Sequence, residues 1–283
     1  MIVKLAIAIA IIGIVFFALK VYFRSQPPMN AEPDNRLPAP SAPTHPIETF
    51  SLTDAFPEQS IETGFLEGLQ IDHLRFGGRR WALSLSTPVA GSGQRWHTTD
   101  HFPQPEIGSG WSDGFAVTDL SHGDGLWVLI MSNDGAHGLQ QWHTTTGFPQ
   151  QQIALAWESQ YQVTSLAFGN GIWALILSSG SGYALQQWFK SETFPQAEIE
   201  AGWDKGYRVS SLAYGEGVWA VVMSQMDRPS MQYCHTDAEF PTAEIAEGNG
   251  NGYQVSSLIF ADGLWALVMT RFNPSATVES LEA

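Results

Sequence analysis

The amino-acid sequence predicts an all-β fold: a five-bladed β-propeller closed by pairing of its N- and C-terminal strands and preceded by a single transmembrane helix. Three observations predict it, namely a 46-residue step that recurs five times, complementary strand fragments at the two ends of the repeats, and the composition. The 283 residues include 27 Gly, 16 Pro and 11 Trp. Such a mixture of turn formers and aromatic residues favours many short strands over helices.

The repeat is visible in three independent series of residues with the same step. A Phe-Pro pair, a Trp and an Ile each recur every 46 residues. The pairs begin at Phe56, Phe102, Phe148, Phe194 and Phe240, the Trp are Trp81, Trp127, Trp173, Trp219 and Trp265, and the Ile are Ile61, Ile107, Ile153, Ile199 and Ile245. A period of about 40 to 50 residues with several strands is typical of a propeller blade.

Each repeat contains three strand patterns and a candidate fourth. In the third repeat, residues 161–168 form a strand pattern that ends in a Gly-rich turn, and residues 172–178 are apolar on both faces, as in a doubly buried central strand. Residues 186–191 follow as a third strand. After the Phe-Pro corner, the segment that holds Ile199 and Trp203 is the candidate fourth. We place the first of these strands innermost.

The two ends of the repeats predict how the ring closes. The array begins on a third strand, where Phe50 is the counterpart of Trp96, Trp142 and Trp188, and it ends on a second strand at residues 264–269. The first fragment thus supplies the strand that the last repeat lacks, which favours a closed propeller. An open β-solenoid is the alternative, and it would need polar caps at both ends.

The sequence divides into four parts: an anchor helix at 1–24, a Pro-rich linker at 25–46, the propeller at 47–272 and a polar tail at 273–283. Residues 5–19 are uninterruptedly apolar, and including Lys20 extends the stretch to Phe23. That length spans roughly 28 Å as a helix, close to the hydrocarbon core of a bilayer. A cleaved signal peptide is the alternative, but no small-residue cleavage site follows. We therefore expect an uncleaved signal-anchor and a single-pass protein of the inner or plasma membrane.

The side of the membrane on which the propeller lies is predicted by two opposing signals. The basic residues Lys20, Arg24 and Arg36 outnumber Lys4, which favours a cytoplasmic propeller. The acidic domain, its scarcity of Cys and the Pro-rich stalk favour the periplasmic or outer side, and this is our expectation.

The charge excludes one class of function. Thirteen Lys and Arg against 28 Asp and Glu leave a net charge of −15, whereas a nucleic-acid-binding protein needs a basic surface. A single Cys also excludes a disulfide framework.

One family resemblance extends over residues 50 to 270. The pattern Phe194-Pro195, Ile199, Trp203, Gly206-Tyr207, Ser210-Ser211-Leu212 and Trp219 to Ser224 resembles the uncharacterised β-repeat domain that follows the catalytic domain in casein-kinase-like protein kinases of plants and occurs in some bacterial proteins. The resemblance implies an all-β, non-catalytic accessory module. No kinase domain is present here, and an apolar N-terminal segment takes its place.

Several residue patterns could carry chemistry but have simpler structural interpretations. The Trp recur with the repeat, as core residues do. Cys234 replaces a repeat Trp and reads as a small apolar residue, and one acidic or amide side chain per Gly-rich turn is ordinary turn chemistry rather than a calcium loop. His97, His143 and His235 share a repeat position, but on the strand placed away from the axis. We therefore predict no metal, no cofactor and no catalytic residue.

The candidate binding site is the place where the repeats disagree on the innermost strand. His73 and Asp119 stand where later repeats have Ser165, Ser211 and Ser257. In the first repeat, Asp72 also replaces Thr or Ser, and Arg75 replaces a residue that is small in most repeats. We expect Asp72, His73, Arg75 and Asp119 to lie in one sector of the axis, either binding a polar ligand or satisfying one another as buried polar groups.

The function predicted from these features is that of a membrane-tethered, non-enzymatic propeller. It would act as a protein-interaction module, such as an accessory or scaffold subunit of a membrane protein complex. The alternative is a propeller that binds or hydrolyses glycans at one mouth of the ring.

Overall fold

The computed structural model describes residues 48–88, 91–135, 138–226 and 228–272. These residues fall within one compact unit. The predicted anchor helix, the Pro-rich linker and the polar tail lie outside the described residues. None of the helices in the described part of the chain has the length and hydropathy that crossing a bilayer requires.

Each repeat forms one three-stranded antiparallel sheet and one short helix, giving five sheets. The strands are β1 (Phe50–Thr53), β2 (Gln70–Gly77), β3 (Arg80–Ser86), β4 (Gln94–Thr99), β5 (Ala116–Gly123), β6 (Leu126–Ser132), β7 (Gln140–Thr145), β8 (Gln162–Gly169), β9 (Ile172–Ser178), β10 (Tyr183–Ser191), β11 (Arg208–Gly215), β12 (Val218–Met226), β13 (Ser230–Asp237), β14 (Gln254–Ala261) and β15 (Leu264–Phe272). The helices are α1 (Glu58–Leu66), α2 (Gln104–Ser112), α3 (Gln150–Glu158), α4 (Gln196–Asp204) and α5 (Thr242–Gly250).

All five sheets have the same topology. In sheet 1 the order is β1-β3-β2, and sheets 2 to 5 repeat it with the next three strands in each case. We name the strands of each sheet in chain order. The first is the outer strand, the second is the inner strand, and the third, which lies between the other two, is the middle strand. The inner strand of each sheet contacts the inner strands of other sheets, and β2 contacts both β5 and β14. The prediction that residues 161–168 form an innermost strand and 172–178 a central one is therefore confirmed.

The candidate fourth strand is wrong, because the segment after each Phe-Pro corner is a helix. In α4, Ile199 is fully buried and Trp203 follows it by one helical turn. Pro195 occupies the N-cap position, and Gly206 has φ +82° just beyond the C-terminus. The spacing of four residues between Ile and Trp is a helical period rather than a strand period.

The predicted pairing of the N- and C-terminal strands is also wrong among the described residues. Strand β1 pairs with β3 of its own repeat, from Phe50 opposite Ser84 to Thr53 opposite Trp81. At the other end, β15 lies between β13 and β14. Each sheet is therefore complete within one repeat. Pairing within a repeat closes a much shorter loop than pairing across the whole array, and it costs less conformational entropy.

The core lies between successive sheets. The middle-strand Trp is almost or completely buried in every sheet. Next to Trp127, for example, Leu129 and Met131 pack against Ala174 and Ile176 of sheet 3, and Ile107 of α2 completes the same cluster. Because both faces of a middle strand are covered, its sequence is a continuous apolar run rather than an alternating one.

Candidate functional site

The four residues predicted as a binding site lie on the inner strands of two neighbouring sheets. Asp72, His73 and Arg75 are on β2, and Asp119 is on β5. They stand at or just after a β-bulge, which shifts the register of β2 after Ile71 and recurs at the same place in β5. A bulge re-aims the side chains that follow it. All four side chains border one cavity.

Arg75 joins three sheets. Its guanidinium binds the Asp119 carboxylate through two hydrogen bonds, one of them from Nη2 to Oδ1 at 2.9 Å. Its Nε donates to the Leu258 carbonyl of sheet 5 at 2.9 Å, and Nη1 donates to the Leu74 carbonyl at 2.9 Å. The two charged side chains are only 19% and 20% exposed. A bidentate pair of this kind fixes geometry as well as charge.

His73 links sheet 1 to sheet 5. Its Nε2 donates to the Val255 carbonyl at 3.0 Å, and its ring stacks on Phe50 with 6.0 Å between centroids. Burial, helped by the positive charge of Arg75, lowers the pKa of His73 to about 4. The imidazole is therefore neutral at physiological pH, with the proton on the nitrogen that faces the carbonyl.

Asp72 bonds within its own sheet. Its Oδ1 accepts a hydrogen bond from the Ser86 hydroxyl at 2.6 Å, and burial raises its pKa. In sheet 2 the equivalent Thr118 contacts Ser132 through the two hydroxyl groups. Asp72 therefore makes the equivalent contact in sheet 1, with a carboxylate in place of the Thr hydroxyl. The structure thus brings His73, Arg75 and Asp119 together across sheets, while Asp72 borders the same cavity without bonding to them.

Sequence reasoning missed a row of glutamines that join successive sheets. The outer strand of each of sheets 2 to 5 carries near its start a Gln whose side-chain amide bonds both the backbone N–H and the backbone C=O of one residue on the preceding inner strand. We call these contacts the glutamine clamps. They join Gln94 to Ile71, Gln140 to Val117, Gln186 to Val163 and Gln232 to Val209, with N···O distances of 2.7 to 3.0 Å.

Glu48 occupies the clamp position between sheets 5 and 1. It lies 46 residues before Gln94, so extending the repeat step backwards from the four glutamines would have found it. Its Oε2 accepts from the Val255 N–H at 3.0 Å, as a clamp glutamine does. A carboxylate has no N–H to donate, and the Val255 carbonyl is bonded by His73 instead.

Glu48 is also the most perturbed acid of the site. Its side chain is 8% exposed. Burial raises its pKa to about 7 with a contribution from Asp72, against the hydrogen bonds from Val255 and Ser84 that favour the ionised form. Its Oε1 lies 3.4 Å from Nε2 of His73 and 3.2 Å from the Ser84 hydroxyl. The joint between sheets 5 and 1 therefore contains a titratable group where the other four joints have an amide.

The cavity has a volume of about 330 Å³ and is bordered by all five inner strands. One end carries the site residues and a set of hydroxyl groups. The hydroxyls of Thr118, Thr164 and Ser210 contact carbonyl and hydroxyl groups of their own sheets, and Ser211 accepts from the Leu166 N–H. These polar groups are engaged in bonds that hold the strands.

The other end of the cavity is aromatic. Every inner strand carries an aromatic ring one residue before its end, and each ring is half-buried. We call this set the aromatic collar: Phe76, His122, Phe168, Tyr214 and Phe260. Each ring packs on the middle-strand Trp of its own sheet, with 5.1 to 5.3 Å between ring centroids.

A glycine seats four of the five collar rings against the following sheet, and the corresponding residue after Tyr214 is Ala261. Gly123 of sheet 2 faces Phe76, and a Cβ atom at that position would lie 2.3 Å from the Phe76 Cβ. Gly77 of sheet 1 faces Phe260 of sheet 5 in the same way, with a corresponding distance of 2.0 Å. Because a Cβ atom at Gly77 or Gly123 would clash with the facing ring, the close approach at these two positions requires glycine.

The remaining candidates of the sequence lie away from this cavity. His97, His143 and His235 are on outer strands, and among the described residues no group of three or more His, Cys, Asp or Glu is arranged to hold a metal ion. Cys234 packs against the core between sheets 4 and 5, and burial raises its pKa to about 12, which leaves the thiol unreactive at neutral pH.

One family model matches more than half of the chain. A family model described as a domain of unknown function, DUF7477, matches residues 94–279. The chain belongs to this family. The DUF7477 match begins at the first residue of β4 and so covers sheets 2 to 5, whereas Glu48, Asp72, His73 and Arg75 precede it. No curated protein and no solved structure matches the chain significantly. The resemblance to the repeat domain of plant kinases stays a prediction.

Proposed function

We propose that the five sheets are the blades of a five-bladed β-propeller whose ring closes between sheets 5 and 1. Three contacts across this joint support closure: Arg75 donates to the Leu258 carbonyl, His73 donates to the Val255 carbonyl, and Phe50 packs on Phe240 with 5.3 Å between centroids. The last contact repeats, with a Phe in place of Trp, the packing of Phe102 on Trp142 between sheets 2 and 3. Closure then depends on side chains rather than on shared strands.

The propeller is proposed to act as a non-enzymatic module that binds a protein partner at the aromatic mouth of the cavity. The single observation that carries this function is the contrast between the two ends. At the polar end, the charged groups bond one another, backbone carbonyls or hydroxyls, so they stabilise the joints. At the aromatic end, five half-buried rings border the opening, and aromatic surface of this kind is enriched at protein interfaces.

Site-specific photo-crosslinking in the full-length chain tests this function. A benzophenone amino acid in place of Tyr214 probes the collar, and the same amino acid in place of Leu66, which is 90% exposed on α1, is the matched control. We expect a defined partner adduct from position 214 that is absent from position 66. Adducts from position 66 alone, or none from any collar position, would contradict the proposal.

A glycan ligand is the second candidate, because the cavity combines half-buried aromatic rings with hydroxyl and carboxyl groups. A glycan array, together with the variants Asp72→Asn and Asp119→Asn, separates the two candidates. Specific glycan binding that these variants abolish would favour this second function. A blank array together with a protein adduct at Tyr214 would favour the first.

We further propose that the N-terminal segment tethers the propeller to the membrane as part of a membrane complex, with the propeller on the periplasmic or outer side. Alkali extraction of membranes tests the tether: the full-length chain should stay in the pellet, and a variant with Ile11→Asp and Ile14→Asp should not. Labelling of Leu66→Cys with an impermeant maleimide on intact cells tests the side. Labelling only after lysis would place the propeller inside.

A further inference from the structure

The rim beyond the aromatic collar is acidic on most of its circumference. Each collar residue is followed two positions later by the first residue of the turn that joins the inner and middle strands. In sheets 2, 4 and 5 this turn residue is Asp124, Glu216 or Asp262, and in sheet 3 it is Asn170. The acidic residues of the rim therefore follow the collar residues closely, just beyond the ends of the same inner strands.

Sheet 1 is the exception on this rim. Its turn is Gly78-Arg79, and Arg80 at the start of β3 contacts Asp54 at 3.2 Å with both side chains largely exposed. The basic charge is thus confined to one sheet. Deeper in the cavity, the charges of Arg75 and Asp119 compensate each other in a bidentate pair. On the turns, three carboxylates stand against the two arginines of sheet 1, and Asp124 borders the same depression as those arginines, so the excess of negative charge lies on the side of sheets 4 and 5.

Aromatic rings and carboxylates both favour a cation. The face of an aromatic ring is electron-rich, and a guanidinium or ammonium group placed over it gains about 0.5 to 2 kcal/mol, depending on how far it is desolvated. Carboxylates at the rim add long-range attraction, which steers a cationic group toward the opening. The net charge of −15 acts in the same direction. An anionic or purely apolar group gains neither the attraction to the ring faces nor the attraction to the carboxylates.

We propose that the aromatic mouth receives a cationic side chain, arginine or lysine, presented by the protein partner. This inference rests on the proposed function and names the chemistry that the partner must present. The collar rings hold the aliphatic stem and the cationic head, while Asp124, Glu216 and Asp262 attract the charge at the rim. The volume of about 330 Å³ accommodates one long side chain rather than a folded segment.

Ligand-observed NMR on the purified full-length chain tests the inference with matched probes. The cationic probe is N-acetyl-arginine methylamide, and N-acetyl-citrulline methylamide is its neutral isostere. N-acetyl-glutamate methylamide is the anionic probe. We expect saturable binding of the arginine probe, about 3- to 10-fold tighter than that of the citrulline probe, corresponding to about 0.7 to 1.4 kcal/mol. Equal binding of the two isosteres, or tighter binding of the glutamate probe at Arg79 and Arg80, would overturn the proposal.

Two variants locate the binding. Tyr214→Leu should weaken the arginine probe severalfold, and Asp262→Asn should weaken it about 2-fold, with an effect that disappears at high salt. Asp262 has φ +52°, a conformation that Asn tolerates, so the second variant keeps the fold even if the first does not. Leu155→Ala on α3 is the control and should leave binding unchanged. Arginine binding that neither variant alters would overturn the proposal.

The outcome is separable from that of the proposed function. A partner adduct at Tyr214 without discrimination between arginine and citrulline would keep the interaction module and reject the cationic side chain. Absence of the partner adduct and of the preference for arginine would reject the interaction module and the cationic side chain alike.

Discussion

The imidazole of His73 donates a hydrogen bond to the backbone carbonyl of Val255, 182 residues further along the chain, with 3.0 Å between the two atoms. In the other four joints this kind of carbonyl is bonded by a glutamine amide. Here Glu48 has taken the glutamine position and has no amide N–H, and His73 of sheet 1 donates to the Val255 carbonyl instead. Two departures from the repeat thus compensate each other in one joint.

Replacing Glu48 with Gln should stabilise the protein at neutral pH. The folded state holds the Glu48 proton up to about pH 7, whereas the unfolded chain releases it near its ordinary pKa of 4.5. The folded state therefore binds more protons, and the Glu48 contribution to the free energy of unfolding falls as pH rises between these values, by an amount of the order of 3 kcal/mol. The advantage of Glu48→Gln over wild type should grow across the same window.

Denaturant unfolding of both proteins at pH 4.5 to 8 measures this difference. His73 contributes in the opposite direction, because its lowered pKa makes the folded state more stable as pH rises from about 4 to 6.5. This contribution is common to both proteins and largely cancels in the comparison. A difference that does not change with pH would refute the assignment of Glu48.

Replacing Gln140 with Ala should destabilise the protein by about 2 to 4 kcal/mol. All four hydrogen-bonding positions of this amide are used: Oε1 accepts from Val117 and Trp111, and Nε2 donates to Val117 and Ser178. Removing it leaves buried backbone groups without partners. The exposed Gln150→Ala is the control and should change stability by less than about 0.5 kcal/mol. Similar losses for the two variants would show that the clamp has no special role.

Removing only Arg75 should cost more than removing Arg75 and Asp119 together. Arg75→Ala leaves the largely buried carboxylate of Asp119 without its cation, a loss of about 2 to 4 kcal/mol. The double variant Arg75→Ala/Asp119→Ser introduces the residues of sheet 3, Ala167 and Ser165, at the same positions. A double-mutant cycle by denaturant unfolding should give a coupling energy of at least about 1 kcal/mol. Simple additivity would show that the pair does not act as a unit.

Lengthening Asp124 to Glu should stabilise the protein by about 0.5 to 1.5 kcal/mol. In sheet 3, the Trp173 indole N–H donates to Glu216 on the following turn at 2.7 Å. The equivalent indole N–H of Trp81 is buried and has no hydrogen-bond partner in the described part of the chain, and the residue at the corresponding turn is the shorter Asp124. Glu216→Asp is the reciprocal variant and should lose a similar amount in thermal unfolding. No gain in stability from Asp124→Glu, together with no loss from Glu216→Asp, would refute this explanation.

The repeat step predicts most of the fold because every repeat forms the same sheet and packs on its neighbours in the same way. The buried middle strand, the inner strand and the turn between them follow from apolar runs and Gly-rich turns, so these were predicted correctly. The segment around Ile199 and Trp203 was not, since a helix of nine residues has too few periods to be recognised without its cap residues. The order of strands at the ends also escaped prediction, because sequence position does not show which strands share a sheet.

The proximity of His73, Arg75 and Asp119 was predicted from the disagreement between repeats on one strand. Their backbone partners were not, because carbonyls such as those of Val255 and Leu258 have no sequence signature. Glu48 was missed although the step of 46 residues reaches it. It lies next to the proline-rich segment, and it is an acid where the other repeats have an amide.

The distance between turns of sheets 1 and 5 tests ring closure most directly. In a Cys234→Ala background, spin labels at Arg79→Cys and Asp262→Cys report the joint between sheets 5 and 1, and labels at Arg79→Cys and Asp124→Cys report the joint between sheets 1 and 2. A closed five-bladed ring predicts overlapping distance distributions for the two pairs in double electron–electron resonance. A much longer or broader distribution for positions 79 and 262 would contradict it.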